Sequence, residues 1–227
     1  MNTKNELRFD NLENMDNILI FVGSSGSGKS TLVEHIKNIL DIPQLITTTT
    51  RSKRPYEKDG KEYHFISFED FNKLADKKEF LETTSYSGNL YGLTKDEINK
   101  NSNNVSTIIT DINGARTLAN LYPERVMIFW IKSDPISLIK RLRKRGDSWF
   151  TIIARLYNAY RSNEFVVPSA KFVDVSFTIL HSGDDIYNNF GIVYYKLLTD
   201  EYKKNTDYLQ QLEKEKELNK NGRKTLL

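Results

Sequence analysis

Cysteine is absent from this 227-residue sequence, which excludes disulfides, thiolate metal sites and cysteine nucleophiles and is compatible with a reducing cytoplasm. Histidine is scarce. His35, His64 and His181 are scattered without zinc-type spacing, and a lone histidine is more often a surface or satisfied core residue than a ligand. Long apolar runs are missing as well. The longest, Val126 to Ile131, is far too short to span a bilayer, and the polar, acid-containing N-terminal segment lacks the apolar stretch of a secretory signal or membrane anchor. Nor does one sign of charge dominate: 33 Lys and Arg against 30 Asp and Glu leave a formal charge of +3, which lends little support to nucleic-acid or membrane binding as the main activity. Any functional positive charge must therefore be local.

What remains is the composition of an ordinary soluble globule, 38% hydrophobic and 28% charged, long enough for one sizeable core with a smaller insertion. Residues 1–16 read as a flexible leader. Asn17 to Val22 is an apolar, β-branched strand, and Leu32, Ile36, Ile39 and Leu40 recur at helical spacing beyond a glycine-rich turn, in a helix that ends before Pro43. A second strand is expected over Gln44 to Thr50, with short strands at Tyr63–Ile66 and Phe80–Tyr86, making 51–92 a small β-rich insertion. Helical sequence resumes near Thr94. Val105–Thr110 and Val126–Ile131 then alternate with helical stretches, as a parallel sheet requires. Pro135 opens a basic helix reaching Arg145, Gly146–Thr151 reads as a loop, and a further helix runs to about Glu164. Val173–Leu180 is the expected last strand, Asp184–Leu198 a closing helix and 201–227 a charged tail.

The most informative stretch is Gly23-Ser24-Ser25-Gly26-Ser27-Gly28-Lys29-Ser30, which matches G-x-x-x-x-G-K-[ST] between a strand and a helix. Glycines let backbone N–H groups converge on phosphate oxygens at the positive end of a helix. Gly23, Ser25, Gly26, Ser27, Gly28, Lys29, Ser30 and Thr31 are the candidate residues for binding a nucleoside triphosphate. Lys29 is placed to reach the β- and γ-phosphates, the Ser30 hydroxyl is the first candidate Mg²⁺ ligand, and Thr31 supports the helix start. Kinases, GTPases and ATPases share this cradle, so the motif alone does not choose among them.

The run Thr49-Thr50-Arg51-Ser52-Lys53-Arg54, continuing through Glu57, Gly60, Tyr63 and Phe65, resembles the GMP-binding signature of guanylate kinases at every fixed position but one, where Lys53 replaces a proline. Glu79-Phe80-Leu81-Glu82, Gly88-Asn89-Leu90-Tyr91-Gly92 and Asp111 with Gly114-Ala115 resemble further elements of that family, in the same order. So do Arg141-Leu142-Arg143-Lys144-Arg145-Gly146 and Arg155-Leu156, in its lid. The likeness covers roughly Ile18 to His181. Taken singly, the arginines would pass for a solvated cluster and the tyrosines for core aromatics; the ordered set is what carries the resemblance.

The resemblance implies an α/β fold: a P-loop NTPase-type three-layer core with a parallel sheet (17–50 and 93–200), a small β-rich GMP-binding insertion and a helical lid at about 141–160. It implies that Arg51, Arg54, Tyr63 and Tyr91 grip the GMP phosphate, with Glu57 orienting the arginines. Glu82 would accept from guanine N1 and the exocyclic amine, with Thr47, Thr94 and Asp111 as further base-site candidates and Asp111 as a second metal candidate. Lys29, Arg141, Arg145 and Arg155 would neutralise the transferring phosphoryl group. Besides Lys53, three further features depart from the family. Leu93 stands in place of a serine or threonine, Ile109 replaces a second acid, and the lid loop Gly146–Thr151 is short and carries Trp149 and Phe150. The expected activity is cytoplasmic guanylate kinase, using ATP and Mg²⁺ to phosphorylate GMP and dGMP, as a monomer or homodimer without nucleic-acid or membrane partners. A divergent kinase for another phosphorylated acceptor and a noncatalytic phosphopeptide-binding module are the alternatives.

Overall fold

The computed structural model describes residues 17–55, 57–86, 88–100, 104–161, 165, 177–182 and 186–200. The expectations for the leader, the C-terminal tail and residues 173–176 lie outside that set. The chain divides into two compact units, Met1–Ile186 and Tyr187–Leu227.

In the first unit a parallel sheet forms around β1 (Ile18–Val22), buried at every residue, in the order β6-β1-β7-β8, with β6 at Ser106–Ile109, β7 at Val126–Lys132 and β8 at Phe177–His181. Burial on both faces explains why β1 and β7 read as continuous apolar runs without alternation. Ile18, Ile20 and Val22 point into a cluster with Ile108, Ile128, Trp130, Leu118 and Leu93, whereas Leu19 and Phe21 point to the opposite face, where Phe21 stacks on Phe129 at 5.2 Å between ring centroids. Helix α1 (Lys29–Leu40) buries Leu32, Val33 and Ile36, and α4 (Ile112–Leu121) packs against β1 and β7.

A second, mixed sheet has the order β3-β2-β5-β4, with β2 at Thr48–Thr49, β3 at His64–Phe65, β4 at Phe80–Tyr86 and β5 at Asn89–Thr94. The expected strand Gln44–Thr50 is corrected here. Its beginning bridges β6, Gln44 pairing with Thr107, and only Thr48–Thr49 is a strand, in the other sheet. The transfer occurs where the Ile46 N–H leaves the ladder and donates to buried Glu97 at 2.9 Å. The insertion also holds a helix that the sequence reading left unassigned, α2 (Phe68–Asp76). Ser67 caps it by accepting the Asp70 N–H at 3.0 Å, and Phe71 stacks on Phe80 at 4.4 Å.

Thr94 caps the short helix α3 (Lys95–Asn99), and α5 (Pro135–Lys144) follows an Asp134 cap. The expected loop at 146–151 is shorter than foreseen, because α6 (Trp149–Arg161) already includes Trp149, Phe150 and Thr151. No described helix is long and apolar enough to cross a membrane. In the second unit residues 187–200 are helical, with Val193 and Leu197 buried.

Candidate active site

The site forms at the carboxyl ends of β1 and β6, where open parallel sheets receive ligands. Beyond Val22 the loop passes so close to β7 that a Cβ on Gly23 would lie 2.6 Å from the Ile131 carbonyl oxygen, at a φ of +146°. Gly28 adopts the left-handed conformation (φ 102°) as N-cap of α1, provides no side-chain cap, and no acid occupies the first turn. The amino end of α1 thus keeps its N–H groups and dipole for an external anion. Lys29 Nζ donates to the carbonyls of Gly23 (2.6 Å) and Ser24 (2.9 Å), which lays the ammonium along the loop, and Ser30 is exposed on the first turn.

Two arginines of the expected lid segment join this loop. Arg141 on α5 donates to the Ser27 carbonyl at 3.1 Å, and Arg155 on α6 donates to Ser25 Oγ at 2.6 Å. Arg145, at the end of α5, is held by Asp147.

On the acceptor side, Glu57 is 5% exposed and organises its surroundings. Its carboxylate accepts from Arg51 Nη2 (2.8 and 3.0 Å), from Arg54 Nη1 (3.0 Å) and from the Arg54 N–H (2.9 Å). Burial opposes its ionisation, but these donors and the two guanidinium charges outweigh that and hold the carboxyl below its usual range. The Arg51 guanidinium also lies over the rings of Tyr63 (5.3 Å) and Phe65 (5.6 Å), and Tyr63 meets Tyr91 edge-on at 5.9 Å. Burial and the neighbouring Tyr91 raise the Tyr63 phenol above its usual range, so at neutral pH it remains a donor. Two arginines and two phenols are thus brought together by the pairing of β2 with β5, which carries Tyr91, and with β3, which Tyr63 precedes.

Two of the base-site candidates, Glu82 and Asp111, come together where the β4–β5 hairpin faces α4. Glu82 pairs with Leu93 and Thr84 with Tyr91, so these side chains share that face. Glu82 is 6% exposed and its Oε2 has no hydrogen-bond partner. Burial, and secondarily the charge of Asp111, push its carboxyl up to about 7. Room for this carboxylate comes from Gly114, where a Cβ would sit 3.1 Å from Glu82 Oε2 and overlap Thr110 Oγ1. Asp111 caps α4, accepting from the Asn113 and Gly114 N–H groups at 2.9 Å each, and receives the Thr84 hydroxyl at 2.7 Å. Thr47 is buried one residue before β2. Leu93 is fully buried in the core cluster. Thr94 is placed elsewhere. Strand alternation turns it from the Glu82 face, and its hydroxyl accepts the Glu97 N–H at 3.3 Å.

Sequence reasoning gave no role to Thr84 or Asp147. Their contacts span 27 residues for Thr84 with Asp111 and join two helices for Asp147, so no local pattern announces them. Among the described residues no group of three or more His, Asp or Glu could hold a metal. The donor set, one exposed hydroxyl at a phosphate-binding helix start, fits a Mg²⁺ ion that takes most of its oxygens from phosphate and water. Asp111, with both oxygens engaged by the α4 cap and Thr84, is the poorer candidate.

The guanylate kinase family model matches residues 15–168. Among similar curated proteins, a guanylate kinase of Buchnera aphidicola is 35% identical over 170 residues, covering 72% of this chain and 80% of that protein. One from Prochlorococcus marinus is 34% identical over 164 residues, covering 71% and 88%. A crystal structure of guanylate kinase from Anaplasma phagocytophilum superposes with a TM-score of 0.64 at 22% identity, over 84% of this chain and 88% of that one, and shares the fold. With a phosphate loop, an arginine–tyrosine cluster and a buried carboxylate assembled in one unit, and with matches of this extent, the chain belongs to the guanylate kinase family.

Proposed function

We propose that the protein is a guanylate kinase that transfers the γ-phosphoryl group of ATP to the phosphate of GMP, and of dGMP. The observation that carries this reading is the conjunction, in one unit, of two anion sites linked by arginine. Arg155 bonds the phosphate loop and feels the charge of Arg54, which shares Glu57 with Arg51.

In this reading the amino end of α1 and Lys29 hold the ATP phosphates, Lys29 exchanging its loop carbonyls for phosphate oxygens. Ser30 would hold Mg²⁺, which would supply charge neutralisation to the phosphates when bound. Arg51, Arg54, Tyr63 and Tyr91 anchor the acceptor phosphate, and the dianion matches guanidinium forks and phenolic donors. Ionised Glu82 accepts from guanine N1–H and the exocyclic amine, a donor pair that adenine lacks, and the unpartnered Oε2 supports this role. An oxygen of the GMP phosphate attacks the γ-phosphorus, the bond to the β-phosphate oxygen breaks, and ADP leaves with that oxygen. The nucleophile is already anionic, so the residues align the reactants and stabilise charge without a general base. In this reading Arg141, Arg145 and Arg155 meet the equatorial oxygens, which the contacts of Arg141 and Arg155 with the phosphate loop support.

The test is ADP release coupled to ATP and Mg²⁺ with GMP, dGMP, AMP, CMP or UMP as acceptor. Turnover with GMP and dGMP well above the other three is the expected result. Turnover of none, with ATP still bound, would sink the kinase reading, and preference for another acceptor would sink the guanine assignment.

A further inference from the structure

Between Pro135 and Arg161 the sequence holds seven basic residues and one acid, Asp147. That acid stands at the junction of the two lid helices. Gly146, at φ +91°, and the hydrogen bond from the Asp147 N–H to the Leu142 carbonyl at 3.1 Å turn the chain at the end of α5. The Asp147 side chain, 16% exposed, meets Arg145 through both carboxylate oxygens, Nε reaching Oδ1 at 3.2 Å and Nη2 bonding Oδ2. The same Oδ2 lies 3.4 Å from Arg155 Nε, and the other end of that guanidinium bonds Ser25 of the phosphate loop. Arg54, from the loop after β2, is close enough for its charge to act on both Asp147 and Arg155.

Two guanidinium groups, from the end of α5 and from α6, therefore contact one carboxylate, and the charge of a third, Arg54, reaches it from a separate segment. Burial and the mutual repulsion of Arg54 and Arg145 with Arg155 lower the hold of Arg155 on its proton, so the cluster is costly without a counter-charge. For Asp147, burial works against ionisation, but the Arg145 hydrogen bond and the three positive charges prevail and keep it an anion.

We propose that Asp147 is a positioning residue for phosphoryl transfer. Its carboxylate gathers Arg145 and Arg155 beside the phosphate loop and against Arg54, in the arrangement that the transferring group meets. The inference rests on the phosphotransferase reading and adds a residue to it. Donors held in place before reaction need no reorganisation as charge develops, which raises the rate. A fixed anion among the same arginines also repels a ground-state polyphosphate. Asp147 therefore acts in opposite directions on transfer and on simple anion binding, a split that a merely structural residue would not produce.

The experiment compares wild type, Asp147→Asn and Asp147→Glu in the full chain, measuring kcat and KM for ATP and GMP and, separately, the Kd for inorganic pyrophosphate by calorimetry. For Asp147→Asn the expected result is a kcat lowered about 10-fold or more, less than the roughly 10²–10³-fold of losing a preorganised donor outright, because both arginines are still present. Its pyrophosphate Kd is expected to tighten several-fold, and Asp147→Glu should recover part of the kcat. Thermal melts identify a variant that is merely unfolded, in which case Asp147→Glu against wild type carries the test. A kcat that is unchanged or raised, or a pyrophosphate Kd that weakens along with kcat, would overturn the proposal. Failure of wild type to turn over GMP sinks the guanylate kinase reading instead. The pyrophosphate comparison needs no acceptor, and it still decides whether Asp147 tempers the arginine cluster.

Discussion

The donor and acceptor halves of the site are built from different materials. The donor half is mostly backbone: a loop pressed against the Ile131 carbonyl, the open amino end of α1 and one lysine laid along the loop. The acceptor half is mostly side chains, each held by another: Glu57 braces Arg51 and Arg54, Tyr63 meets Tyr91, and Thr84 and the α4 cap fix Asp111 beside Glu82. A backbone cradle recognises what all nucleoside triphosphates share, whereas a side-chain cradle can distinguish one base from another. In the proposed function, general affinity and particular selectivity thus lie on opposite sides of the transferred group.

The largest expected effect breaks the donor half at its one indispensable side chain. Lys29→Ala removes the charge that follows the phosphates through transfer, and nothing in the glycine backbone replaces it. Loss of one such preorganised donor costs about 10²–10³-fold in kcat. The KM for GMP should change little, because the Glu57-braced arginines do not depend on Lys29. A comparable rise in that KM would show that the two halves are not separable.

Breaking the acceptor half at its base site should give the reverse pattern. Glu82→Gln replaces an acceptor-only carboxylate by an amide that opposes one guanine donor with its own N–H. We expect kcat/KM for GMP to fall about 10²-fold, while turnover of AMP is unchanged or improved. The same group predicts a pH dependence. With a carboxyl at about 7 in the protein without nucleotide, protonation as pH falls below 7 removes the double acceptor, so the KM for GMP should rise below that pH in wild type and stay flatter in the variant. For stability the sign is opposite to that of a salt-bridged acid. Between its ordinary 4.5 and about 7 the folded state keeps a proton that the unfolded chain releases, so wild type loses stability as pH rises through that window. Thermal melts at acid and alkaline pH, wild type against Glu82→Gln, should show the variant gaining relative stability on the alkaline side.

The contrast also explains what was legible in the sequence. The donor half is contiguous, so Gly23 to Ser30 disclosed the strand, turn and helix together, and β1, α1, β6 and β7 followed from their apolar runs. The acceptor half is discontinuous, and it was reached only because Arg51, Glu57, Glu82 and Tyr91 stand in a known order. Where local sequence and tertiary pairing compete, the local reading failed. Gln44–Thr50 looked like one strand because nothing in it reveals that Glu97 takes the Ile46 N–H and splits it between two sheets. Helix α2 had a readable Ser67-x-x-Asp70 start but only one deeply buried apolar residue, Phe71, too short a pattern to notice. Thr94 lies next to Leu93 in sequence, but strand alternation places it on the other face, as a helix cap.

The smallest expected effect sharpens the comparison rather than breaking it. Thr84 does not belong to the proposed guanine contacts; it donates to Asp111 Oδ2 at 2.7 Å, while Asp111 Oδ1 is occupied by the first turn of α4. Removing that donor leaves Asp111 in place, since two backbone N–H groups still hold it, but frees one oxygen and strengthens its negative field at Glu82. Thr84→Val, nearly isosteric, should therefore cost about 1 kcal/mol of stability, the net worth of one hydrogen bond. It should also move the pH below which the KM for GMP rises upwards, because a less satisfied Asp111 makes ionisation of Glu82 harder. The donor half should not register the change, leaving the KM for ATP as in wild type. If the pH dependence stays fixed while stability falls, Asp111 and Glu82 act independently, and the Thr84 hydroxyl only ties the hairpin to α4.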